Sequence, residues 1–269
     1  MFRRTVVAIK VTLTMFLSAV VFTSCSQVFD GNLFHNVDPP AAPDASALQS
    51  ASVTEIRNLT QQPGFYSQLQ SNPGAEAAVA TNLVSVISSP SSSTSDKLLA
   101  EQTLIQVATY GTNTGTVVSN VLNSLTSLTS SNNLSTLSSP TTALSTAQSL
   151  FAGQTPTQIA STLNNLVAIS NIYTALNTTS GGNSTDFFGT TNKTDLAQIG
   201  AVAAVANVLV AASGGSTTTA AQFIATGNTA LINTTTLSTQ ATDLANAFNN
   251  TTNSGTYSYI TTMAPTLKF

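Results

Sequence analysis

The sequence predicts an all-α protein: an irregular multi-helix bundle, or an α-solenoid-like (armadillo/HEAT-like) stack of short antiparallel helices. Three observations lead there. Apolar residues recur every three or four positions, helix-boundary residues stand where those stripes begin and end, and the connections between stripes are only a few residues long.

Taken in order, the first helix is expected over 46–60, with Ser52 and Glu55 at the spacing of a capping box. Helices over 64–71 and 73–88 follow, the latter carrying Val79, Leu83 and Val86 on one face. The next are 95–110 and 115–130, the second with the stripe Val118, Val121, Leu122, Leu125 and Leu128. Ser139-Pro140 and Thr155-Pro156 each set a capping side chain before a proline at the first helical position, opening helices 140–152 and 156–178. Leu196, Ile199, Ala203, Ala206 and Val210 mark 193–213, where Asn192 and Asp195 repeat the cap-and-acid spacing. Its segment 200–212 is apolar nearly all round, which suits a central helix, and alone is too short to span a bilayer. Helices over 217–233, 236–250 and 255–263 complete the set. Gly111, Gly153, Gly181-Gly182 and Gly214-Gly215 fall where a left-handed C-cap is wanted.

Ser, Thr and Asn are indifferent helix formers, so these helices must depend on packing. A β-solenoid would need alternation and frequent glycine turns, which the three-to-four spacing opposes. The tail 257–269 does alternate and ends in Phe269, but Pro265 interrupts it and no ladder of alternating segments precedes it, as a barrel requires.

The first 48 residues read differently. Arg3, Arg4 and Lys10 lead, no acid precedes Asp30, and an apolar run covers Val11–Phe22. At 1.5 Å per residue that run extends about 18 Å, short of the roughly 30 Å hydrocarbon core, so it reads as a secretory signal rather than a membrane span. The sequence holds one cysteine, Cys25, where the apolar run ends. A secreted protein that uses cysteine structurally needs pairs, so a single thiol at this place asks for another explanation. Phe22-Thr23-Ser24-Cys25 resembles the lipobox of bacterial lipoproteins, in the loosened form of the spirochaete type, with Phe where Leu is usual. The resemblance covers residues 1 to about 40. It implies cleavage between Ser24 and Cys25, lipid attachment at Cys25 and anchoring to a membrane, the outer one more than the inner because Ser26 rather than Asp follows. Two or three acyl chains suffice for stable anchoring.

The domain organisation expected is therefore a signal peptide over 1–24, a lipidated tether over 25–48 and one helical domain over 49–269. Asp38-Pro39-Pro40-Ala41-Ala42-Pro43-Asp44 is extended and semi-rigid by composition. Near the anchor, Phe29, Leu33 and Phe34 are placed to meet the membrane interface or to pack on the domain.

Charged residues make up 6% of the chain, against roughly 25% in an ordinary soluble domain. Without the signal, four cations face ten acids, a formal charge of −6. No basic patch exists, which speaks against nucleic acid and against anionic head groups as partners. The one histidine, His35, stands in the tether, away from any packed scaffold that a triad or zinc site demands. No Ser-x-x-Lys dyad occurs, and Gly111-Thr112-Asn113-Thr114-Gly115 lacks the ending of a phosphate loop. Glu55, Glu76, Asp96 and Asp195 fall in first turns, where they meet the positive helix end. Lys97 and Glu101, four apart, read as a surface pair. Phe187 and Phe188 lie in a polar loop, as a contact patch or as an anchor onto the core. No catalytic residue, metal site or cofactor is expected. The function expected is that of a non-enzymatic envelope scaffold contacting an envelope or extracellular macromolecule, periplasmic or surface-exposed. The alternative is a carrier of a lipid or small hydrophobic ligand, suggested by 193–213 and the face Ala220, Phe223, Ile224, Gly227 and Leu231.

Overall fold

The computed structural model describes residues 44–112, 138–249, 256–264 and 266. Signal peptide, lipobox, most of the tether and the helix expected over 115–130 lie outside the described residues, as do Ser24, Cys25 and His35. Among the described residues the fold is all-helical, without strands, and the helices pack on one another as a multi-helix bundle.

The first half comprises α1 (Ala45–Ser50), α2 (Val53–Thr60), α3 (Phe65–Ser71), α4 (Pro73–Ser88) and α5 (Thr94–Tyr110). One continuous helix over 46–60 is not what forms. Ala51 is extended (φ −67°, ψ 147°), and Ser52 opens α2 with a full capping box to Glu55. A residue that caps one helix cannot continue the previous one. The carbonyls thereby released at the end of α1 are taken up by Asn82 of α4, whose Nδ2 donates to Leu48, Gln49 and Ala51. Leu48, Ile56, Phe65, Leu69, Val79, Leu83 and Leu104 form the core of this half.

The second half contains α6 (Pro140–Leu150), α7 (Pro156–Thr179), α8 (Ser184–Phe188), α9 (Lys193–Ala212), α10 (Thr217–Thr226), α11 (Thr234–Phe248) and α12 (Ser258–Met263). The helix expected over 217–233 stops at Thr226. Gly227 takes the left-handed conformation (φ 70°), and a short 3-10 turn, Thr229–Leu231, replaces the remainder. Gly111, by contrast, closes α5 with φ −74°, so it is not a left-handed cap. Thr155 caps α7 in a reciprocal box with Gln158, whereas Ser139 stands at the N-cap of α6 without a side-chain capping bond.

Two helices organise the packing. Fourteen of the twenty residues of α9 are buried, consistent with its all-round apolar sequence. Helix α7 touches α5, α9, α10 and α12, elements from both sides of it in the chain. A solenoid would bring each helix against its sequence neighbours. This convergence on α7 is the geometry of a bundle. Short α12 is drawn into the centre: the Tyr259 ring stacks on Tyr173 with centroids 5.3 Å apart, and its hydroxyl shares a 3.0 Å bond with Ser170, which also accepts from Asn207. Gly200 makes room for this, since a Cβ there would sit 2.6 Å from Met263 Cε.

Helices rich in threonine satisfy many of their hydroxyls by donating back to the carbonyl four residues earlier. Thr103, Thr109, Thr162, Thr174, Ser213 and Thr242 all do so. Thr103 and Thr109 can therefore sit fully buried in α5 without an unsatisfied hydroxyl.

Candidate functional site

Helix α5 is the seam between the two halves. Ala100, Leu104 and Val107 face the first core, while Ile105 belongs to the second. A helix buried on several sides has little room for a solvated face, and the four residues Ala100–Thr103 are all buried. That corrects the reading of Glu101 as half of a surface pair. Glu101 is 1% exposed. Thr179, at the end of α7, donates from Oγ1 to Glu101 Oε1 at 2.9 Å, and Oε2 has no hydrogen-bond partner. Burial pushes this carboxyl up to about 7, against the opposing pull of the Thr179 bond and the charge of Lys97.

Next to it, Gln102 holds the turn around α8. Its Nε2 donates to the carbonyls of Asp186 and Phe187, both at 3.0 Å, and its Oε1 accepts from Thr191 at 3.4 Å. Gly189 lets the backbone come this close: a Cβ on it would lie 2.8 Å from the Gln102 amide. Phe187 and Phe188 are both buried, so the aromatic pair anchors the turn onto the core rather than forming a contact patch. Lys193 Nζ lies over the Phe188 ring at 5.9 Å.

On the other side of the seam Arg57 is 7% exposed. It donates to Gln106 Oε1 at 2.6 Å, while its Nε is unpartnered. Burial lowers its pKa, yet an arginine stays charged. Tyr66 lies near it, pushed up to about 12 by burial.

Glu55, Glu76, Asp96 and Asp195 occupy first turns, where the helix dipole favours them. Among the described residues no group of three or more His, Cys, Asp or Glu is placed to hold a metal ion. Glu101 with Thr179 is a carboxyl and a hydroxyl buried together where α5 meets the end of α7.

Between α6, α9 and α11 lies a mostly apolar cavity of about 10 Å³, lined by Thr146 and by alanine, valine and leucine side chains that include Ala143, Val205, Leu209 and Leu237. That is room for about one water and far too little for an acyl chain in this conformation. Helix α9 as a whole is long and apolar enough to cross a membrane, although its segment 200–212 alone is not. Its burial against protein is that of a core helix.

Sequence reasoning missed Gln102, Thr179 and the burial of Arg57. The one signal available was the run of Glu, Gln and Thr at 101–103 between the apolar stretches Leu98–Ala100 and Leu104–Ile105. No family model matches the chain, and neither the curated proteins nor the solved structures yield a match to it.

Proposed function

We propose that this chain is a membrane-anchored envelope lipoprotein, cleaved between Ser24 and Cys25 and held by lipid on Cys25, whose helical domain is a non-enzymatic scaffold or interaction protein. The observation that carries the reading is the position of the one cysteine, directly after a basic segment and an apolar run too short to span a bilayer. The Pro-rich stretch before α1 supplies a spacer, and the hydroxyl-rich, charge-poor composition suits contact with a macromolecule through hydrogen bonds and shape rather than long-range charge.

Replacing Cys25 by Ser tests it. The wild-type chain is expected in the membrane fraction with acyl mass on its N-terminal peptide, and C25S in the soluble fraction without it. Membrane partitioning of C25S equal to wild type, with no acyl mass on either protein, refutes the anchor. Protease shaving of intact cells then reports the side of the membrane on which the domain lies. The protease must be one that does not require Lys or Arg, because the described domain carries only Arg57, Lys97 and Lys193.

A further inference from the structure

The contact between α5 and the 179–191 segment has a geometry that asks for a proton. The Thr179 hydroxyl lies 2.9 Å from Glu101 Oε1 and 3.0 Å from the Ala175 carbonyl, but it has one hydrogen for these two acceptors. With Glu101 protonated on Oε1, the carboxyl donates to Thr179 Oγ1 and the hydroxyl hydrogen goes to Ala175, so both contacts are made. With Glu101 ionised, one acceptor goes without, and a full charge sits beside an Oε2 that no donor reaches.

Ionisable groups stand on the elements around α5: Arg57 on α2, Glu76 on α4, Tyr173 on α7, Asp186 on α8, and Lys193 and Asp195 on α9. On α5 itself are Asp96, Lys97 and Tyr110. None of them bonds to Oε2, and Lys97 is the cation whose charge acts on the carboxyl. The segment facing Glu101 is set off from its flanking helices by glycine caps. Gly181 and Gly182 before α8, and Gly189 after it, all have positive φ, and α8 is tied to α5 chiefly through Gln102, the residue adjacent to Glu101.

We propose that Glu101 is a proton-operated latch: protonated, it holds the 179–191 segment closed against α5; ionised, it loosens that segment. The device depends on the folded domain alone and not on the lipid anchor.

The test is hydrogen exchange of the full-length protein at several pH values, corrected for intrinsic rates, comparing peptides over 177–192 with peptides over α9. The carboxyl titrates near its ordinary 4.5 when open and near 7 when closed. Opening of 177–192 should therefore rise about tenfold per pH unit up to about pH 7 and level off above it, with α9 unaffected. Glu101→Gln, whose amide donates to Thr179 as the protonated acid does, should abolish the dependence and keep the segment closed at every pH. Lys97→Gln, which leaves the carboxyl in place, should move the plateau to higher pH. Wild-type protection of 177–192 that is flat with pH overturns the proposal. So does a pH response that survives in Glu101→Gln, or one that Lys97→Gln leaves at the same pH.

Discussion

Asn82 offers the sharpest test of how the first half is assembled. Its side-chain amide donates to Leu48 at 2.9 Å, Gln49 at 2.9 Å and Ala51 at 2.8 Å, and the residue is 8% exposed. These are carbonyls that α1 leaves open because the chain turns extended at Ala51 to let Ser52 start α2. The two amide hydrogens of Asn82 are shared among the three carbonyls, and Asn82→Ala removes both. At a net worth of about 1 kcal/mol for each hydrogen bonded, and with little water able to replace them, the loss should be about 2 kcal/mol. Asn82→Asp keeps the shape but sets an acceptor against three acceptors. It should cost at least about 1 kcal/mol more than Asn82→Ala at pH 7, and recover part of that as the carboxyl protonates in acid and regains one donor. Urea unfolding followed by circular dichroism gives the free energies, and hydrogen exchange over residues 45–50 locates the damage. The reasoning fails if Asn82→Ala lies within about 0.5 kcal/mol of wild type with α1 still protected, or if Asp is tolerated as well as Ala.

Two further expectations concern the seam. Gly189→Ala combines a disfavoured backbone (φ 52°, ψ −130°) with a Cβ 2.8 Å from the Gln102 amide, and should cost about 1–3 kcal/mol in urea unfolding. Global stability should also fall as pH rises. The folded Glu101 carboxyl is held up to about 7 from an ordinary 4.5, so the unfolded chain loses its proton first. The stability present below pH about 4.5 is then lost progressively up to about 7, by about 3 kcal/mol at most. Glu76 and Asp195, also raised by burial, act in the same direction, whereas Asp44 and Glu55 are lowered by their capping bonds and lose their contribution only in acid. Urea midpoints at pH 5 and pH 7.5, with Glu101→Gln flattening the difference, check this.

Much of the fold was legible because local signals and packing agree. The span 73–88 is met at both ends by α4, and the prolines at 140 and 156 each open a helix as expected. The all-round apolar segment 200–212 foretold the buried α9. Errors arose where two local rules competed. Ser52 signalled a helix start inside the span 46–60, and there the cap prevailed over the continuing stripe. Gly227 was taken as part of a small-residue face, although its positive φ ends α10. The seam was illegible for a different reason. Spacing of Lys97 and Glu101 describes a helix with one wet side, but α5 is enclosed by two cores, and much of that enclosure comes from contacts with α2, α7, α8 and α9 distant in sequence. Apart from the polar run 101–103 between apolar residues, nothing local distinguishes Glu101 from an exposed glutamate.

The threonine hydroxyls turned back onto their own helices have a consequence for the medium this domain tolerates. An ordinary surface is held partly by opposite charges, and dissolved ions within a Debye length of roughly 8 Å weaken them. Here the polar surface is mostly neutral, and many of its hydroxyls, such as Thr174, Thr226, Thr239 and Thr242, already spend their hydrogen on a carbonyl of the same helix. Salt thus finds few opposite-charge pairs to weaken, and the folded chain should keep nearly the same stability in brine as in dilute buffer.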